Sequence, residues 1–233
     1  MDFAYLVISC SKTQFVRDYC LSSLKKCGIK EGQLYVTLDN YKDNLSFGKP
    51  IITNGEGFIK DTIQGVEDLK NKYSHVILIL DDFIFQSVNT NEILNICSDY
   101  DDYIRLTPSE YVKSFKREFI KNVPLDHPYY SSLQVAFWRI DYLIDVLKSS
   151  NNIWDVEKQK KNKTHKYVSS PLVNYRHVVE KGKWDRRAKQ IINNAGFRFN
   201  SNGIPHHHQS FVQIIKSNVV KLILMIFGYQ LLK

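Results

Sequence analysis

Residues 73–85 read YSHVILILDDFIF, and the rest of the chain is arranged about them. Residues 76–80 are five apolar residues in a row, too short a run to span a membrane. With β-branched residues at Val76, Ile77 and Ile79 they predict a strand buried on both faces. The run stops at two adjacent carboxylates, Asp81 and Asp82. In an open α/β sheet, ligands bind just beyond the carboxyl ends of the strands. A pair of acids there suits a divalent cation held against a diphosphate, because hard cations prefer carboxylate oxygen. A structural role suits the same residues, with Asp82 capping the next turn and Asp81 solvated.

Upstream, residues 4–8 form a second apolar run that ends at Ser9-Cys10-Ser11-Lys12. A loop of small residues after the first strand lets a nucleotide approach the backbone closely. The chain has no GxGxxG or Walker pattern there, so neither a dinucleotide fold nor a P-loop is supported. Residues 13–26 follow at helical spacing, and QLYVTL (33–38) is a further strand that ends at Asp39, a candidate for ribose or base and equally an Asx turn. Residues 58–72 then predict a helix leading into the central strand. This alternation of strand and helix gives the expected fold class: α/β, a mostly parallel Rossmann-like sheet with helices on both faces.

The second half reads less simply. YIRL (103–106) predicts a strand, and LQVAFWRIDYLIDVL (133–147) a buried helix whose first residues also suit a strand. In NNIWDVE (151–157) the asparagines are cap residues, which puts Asp155 and Glu157 near the start of a helix, where its dipole favours ionised carboxylates. LVNYRHV (172–178) predicts a strand, 181–184 a turn, and 185–195 a helix ended by Gly196. Residues 200–208, with three adjacent histidines, read as a linker.

The 233 residues carry a formal charge of +8, unevenly spread. Residues 158–233 hold a local excess of +13, so the first 157 carry −5. Such asymmetry suggests contact with phosphates or an anionic membrane surface. Residues 209–233 contain no acid and predict an amphipathic helix lying among head groups, with Phe211 and Phe227 on the apolar side and Lys216 and Lys221 for the lipid charge. Lys221 and Gly228 interrupt the run, which argues against a spanning helix. A helix docked on the domain or on another subunit is the other reading. Cys10, Cys20, Cys27 and Cys97 lack metal-site spacing and read as reduced thiols. The opening MDFAYLVISC reads as a strand and not as a secretion signal.

Four blocks, HVILILDDFIF, YYSSLQVAFWRIDYL, NIWDVEKQ and NYRHVVEKGKW, appear in that order. Together they resemble small bacterial glycosyltransferases of surface-polysaccharide (capsule or lipopolysaccharide O-antigen) clusters, which have the GT-A fold. The resemblance implies one catalytic domain over 1–199, with a nucleotide-sugar-binding half (1–107) and an acceptor half (108–199). A linker (200–208) and the membrane-associating helix (209–233) follow. It implies a nucleotide-sugar donor held by Ser9, Cys10, Ser11, Asp39 and Asp81, and a glycan acceptor that is lipid-linked. It also implies Mn²⁺ or Mg²⁺ on Asp81 and Asp82, and a catalytic base at Glu157 or Asp155. The usual Asp-x-Asp has Phe83 in its third position here, so Lys183 is a candidate for part of the diphosphate charge. The expected location is the inner face of the cytoplasmic membrane. The rivals are a nucleotidyltransferase and a non-catalytic module for anionic lipid or nucleic acid. The second leaves both acidic blocks unexplained, so nucleic acid is not an expected partner.

Overall fold

The computed structural model describes residues 2–97, 101–108, 118–127, 129–159, 163–180 and 182–201. Residues 202–233 lie outside the described residues, and with them the three histidines, Phe211, Lys216, Lys221 and Phe227.

An eight-stranded sheet forms the centre. Its first half is parallel: β1 (Phe3–Ile8), β2 (Leu34–Leu38), β3 (Lys49–Ile52) and β4 (His75–Leu80) stand in the order β3-β2-β1-β4. Two helices make the crossovers, α1 (Gln14–Lys26) and α2 (Phe58–Leu69). Beyond β4 the sheet is mixed. β8 (Ala136–Arg139) runs antiparallel between β4 and β6 (Tyr103–Arg105), and β9 (Lys166–Val168) and β7 (Ile120–Asn122) complete it. Residues 133–147 are therefore not one helix. The strand reading holds for Ala136–Arg139, and α4 (Ile140–Lys148) takes over directly. Periodicity could not separate the two because β8 is buried, and a short apolar run looks the same in either state.

Alternation along the strands builds two cores. Tyr5, Val7, Val36, Ile77 and Ile79 face α1, where Cys20, Leu21 and Leu24 meet them. Ala4, Leu6, Val76 and Leu78 face the other way, against Val66 and Leu69 of α2 and the apolar side of α4. Successive side chains of a strand point to opposite faces, so continuous apolar runs are what a doubly covered sheet requires. The approach of α2 is close. A Cβ built on Gly65 would lie 2.7 Å from Cγ2 of Thr37 in β2.

A two-stranded ribbon stands apart from this sheet. β5 (Phe83–Val88) follows Asp82 directly and pairs antiparallel with β10 (Val173–His177), opposing Phe83 to His177. The register shifts between Asn174 and Tyr175, leaving Gln86 as an extra residue in β5. The remaining elements are α3 (Thr90–Ile96), α5 (Ile153–Lys158), the pair β11 (Val179–Glu180) and β12 (Lys183–Trp184), and α6 (Ala188–Asn194).

Candidate active site

Three adjacent strands end side by side, β1 at Ile8, β2 at Leu38 and β4 at Leu80, and a cavity of about 420 Å³ opens beyond them. Ser9, Cys10, Lys12 and Thr13 line it from the first loop, Asp39 from the second, and Asp81 and Asp82 from the third. Gly55, Gly57, Phe58 and Asp61 supply a wall at the start of α2, while Ile153, Val179 and Gly182 close it from the second half.

Short polar contacts fix these loops. The Ser9 amide donates to Thr37 Oγ1 at 2.9 Å, and the Ser11 amide donates to Asp39 Oδ1 at 2.7 Å. The Ser11 hydroxyl adds a bond to Asp39 Oδ2 at 3.3 Å. Ser11 thus orients Asp39 without itself lining the cavity. Asp61 accepts from the amides of Glu56 (3.2 Å) and Gly57 (3.1 Å), so the turn before α2 is held by the helix's own acid.

The paired acids differ in environment. Asp81 is buried and accepts a hydrogen bond from the Thr13 hydroxyl. Burial pushes it up to about 7, and the Asp82 charge adds to this, against the hydroxyls of Ser9 and Thr13 and the charge of Arg17. Asp82 keeps Oδ1 buried with no hydrogen-bond partner, and its Oδ2 lies 3.6 Å from His177 Nδ1. A buried carboxylate oxygen without a partner is costly unless a ligand satisfies it. Among the described residues, no group of three or more His, Cys, Asp or Glu side chains gathers to hold a metal ion. The donor set fits a cation that takes one or two carboxylates from the protein and its other oxygens from phosphate and water.

A second chamber of about 210 Å³ shares Leu80 and Ile153 with the first. Phe83, Leu133, Gln134, Trp154, Glu157 and His177 complete its lining. Asn152 caps α5, accepting from the amides of Trp154 (2.9 Å) and Asp155 (3.1 Å). Asp155 turns back to the cap, accepting from the Asn151 amide (3.1 Å) and Asn152 Nδ2 (2.9 Å), and does not line the chamber. Glu157 faces the chamber, half-buried, and takes the Leu133 amide at 3.3 Å.

Glu157 is not at the helix start, contrary to the expectation from the sequence, so the helix dipole does not favour its ionised form. Glu157 sits in the last turn of a six-residue helix, and burial raises its carboxyl above the ordinary range. The Leu133 amide and the Arg105 charge oppose that rise. Arg105 is buried, donating to the Tyr129 carbonyl at 2.8 Å.

Lys183 is exposed in β12 and does not line the cavity, whereas its neighbour Gly182 does. Lys12 is the cation among the described lining residues. Nothing in the sequence around Lys12 marks it for a role in its loop. Gln134, His177 and Arg105 are equally unmarked in the sequence. His177 reaches the acids only because β10 pairs with β5, and no local pattern signals that pairing.

The chain matches no family model and no curated protein. Solved structures do resemble it. TarS 1–349 of S. aureus in complex with UDP-GlcNAc superposes with a TM-score of 0.55 at 13% identity, over 96% of this chain and 67% of that one. The same fragment with UDP gives 0.51 at 13% identity, over 75% and 60%. A putative glucose-1-phosphate thymidylyltransferase from Bacillus anthracis gives 0.51 at 8% identity, over 85% and 97%. The likeness is one of fold. Against S. aureus TarS itself, the match spans 37% of that chain's length.

Proposed function

We propose that the protein is a glycosyltransferase moving a sugar from a nucleotide-sugar donor to a glycan acceptor. One observation carries this reading: Glu157 lines a chamber that shares Leu80 and Ile153 with the neighbouring cavity lined by Asp81 and Asp82. A transferase needs an anion-handling site and a base side by side, and a carboxylate raised by partial burial is a better base than one in water.

In this reading the nucleoside lies against the Ser9–Cys10 backbone and Asp39, and the diphosphate lies near Lys12 and Asp82. Asp81 and Asp82 would hold a divalent cation, Mn²⁺ or Mg²⁺, which neutralises diphosphate charge when bound. Glu157 removes the proton of the attacking hydroxyl. The acceptor oxygen bonds to the anomeric carbon, and the carbon–oxygen bond to the diphosphate breaks, its electron pair leaving with the nucleoside diphosphate. A single displacement of this kind inverts the anomeric centre. The neighbour bound to UDP-GlcNAc makes UDP-sugars the first donors to test.

A lipid-linked acceptor in surface-polysaccharide synthesis, and a peripheral position on the inner face of the cytoplasmic membrane, belong to the same proposal. They rest on the resemblance of the four blocks and on the composition of residues 209–233. No helix among the described residues is long and apolar enough to cross a membrane.

The test is incubation with UDP-, GDP-, CMP- and dTDP-sugars, with and without Mn²⁺, followed by product analysis. Release of nucleoside diphosphate or monophosphate together with the free or transferred sugar supports the proposal. Formation of pyrophosphate from a nucleoside triphosphate and a sugar phosphate would make the protein a nucleotidyltransferase instead.

A further inference from the structure

Next to the Glu157 chamber lies a third cavity, a groove of about 440 Å³, within the range of roughly 300–1,000 Å³ usual for ligand sites. It shares Gln134 and His177 with that chamber. The three cavities are thus neighbours in a row: the acid-lined one shares Leu80 and Ile153 with the chamber, and the chamber shares Gln134 and His177 with the groove.

The groove presents hydrogen-bonding and apolar side chains in nearly equal measure. Gln86, Thr107, Asn174 and Arg176 line it with the two shared residues, beside the Asp185–Arg187 pair (3.9 Å) and apolar Val173 and Ile191. The β5–β10 bulge falls at Gln86, and bulges of this kind re-aim a side chain beside active sites. Among the described residues, no carboxylate lies within ion-pair distance of Arg176. Thr107 already donates to Gln134 Oε1 at 3.3 Å, which leaves the Gln134 amide nitrogen for a ligand. Amides and a guanidinium along a half-open trough suit a chain of hydroxyl groups.

We propose that this groove is the acceptor site, holding a glycan along β10 so that its attacking hydroxyl passes the Gln134–His177 neck to Glu157. The assignment rests on the glycosyltransferase reading and adds to it the side from which the acceptor enters and the residues that grip it. Donor and acceptor then occupy opposite ends of one path, with the base between them.

The experiment compares Gln86→Trp, which fills the groove, Arg176→Ala and Arg176→Lys with the wild type. Donor turnover in water and transfer to a panel of synthetic alkyl glycosides are both followed. The acceptor KM should rise about tenfold in Arg176→Ala, as for loss of a charged hydrogen bond, with partial recovery in Arg176→Lys. Gln86→Trp should block transfer, and the donor KM should stay unchanged in all three. Wild-type acceptor kinetics in both Gln86→Trp and Arg176→Ala would overturn the assignment, as would absence of transfer by the wild type to any glycoside while donor is turned over. If the wild type turns over no nucleotide sugar, the glycosyltransferase reading itself falls and takes the acceptor site with it.

Discussion

His177 Nδ1 lies 3.6 Å from Asp82 Oδ2, and the Val178 amide donates to the Asp82 carbonyl at 3.0 Å. The end of β10 is thereby locked to the acidic loop after β4. Because of this lock His177, a residue of the second half, lines both the Glu157 chamber and the groove while standing beside Asp82.

Asp82 should matter more than Asp81 for donor turnover. Its Oδ1 is the buried oxygen without a partner, whereas Asp81 already accepts from Thr13. Asp82→Ala is expected to lower donor turnover on the order of 10²-fold, the usual scale for losing an electrostatic contact to developing charge. Circular dichroism should show the fold intact. Unchanged turnover in both alanine variants would make the acidic pair structural.

Glu157→Gln keeps shape and the contact with the Leu133 amide but removes basicity. Transfer should fall ~10²–10⁴-fold while donor affinity is retained. The base works only when ionised, and burial raises its pKa, so the acid limb of kcat/KM should lie above the ordinary carboxylate range. A dead Asp155→Asn beside an active Glu157→Gln would move the role to Asp155.

Stability should fall with acidity through His165. The ring is buried, its Nδ1 2.9 Å from the Tyr130 carbonyl and its Nε2 2.7 Å from the Tyr142 hydroxyl. That pattern satisfies a neutral ring donating from Nδ1 and accepting at Nε2. Burial lowers its pKa from 6.5 to about 4, the Arg105 charge helping and the Tyr130 carbonyl opposing. The unfolded chain therefore binds a proton that the folded chain refuses between those values, so stability is lost as pH drops from about 6.5 to 4. The loss is about 3 kcal/mol at the lower end. Urea unfolding across this range reads it. An NMR titration placing His165 above 6 would remove the cause.

Gly65→Ala should destabilise by about 1–3 kcal/mol, because the new methyl meets Thr37 at 2.7 Å between α2 and β2. Gly32→Ala, with nothing within 4 Å, is the control and should unfold near the wild-type midpoint. Equal midpoints for both variants would mean that α2 shifts without cost.

A chain ending at His208 should lose binding to anionic vesicles yet keep activity on a short water-soluble acceptor. Each lysine near such a surface is worth about 1 kcal/mol, and salt screens the attraction. Continued sedimentation of the shortened chain with vesicles would show that residues 209–233 are not the anchor.

The strands at 4–8, 33–38 and 76–80 were legible in the sequence, and the loops that line the candidate cavity begin where those strands stop. Burial on both faces leaves a continuous apolar signal, and the α/β alternation of the first half makes its topology local. Asp39, Asp81 and Asp82 could be placed for that reason. The second half was legible only in pieces. β8 enters antiparallel between β4 and β6, and β5 (83–88) finds β10 (173–177) far along the chain; such pairings are set by packing, not by neighbours in sequence. Whether Asp155 or Glu157 faces the chamber turned on the Asn152 cap and the Leu133 amide, and Lys12 rather than Lys183 lines the cavity. Side-chain direction at a short helix and the meeting of distant loops depend on three-dimensional contacts, which residue order alone does not encode.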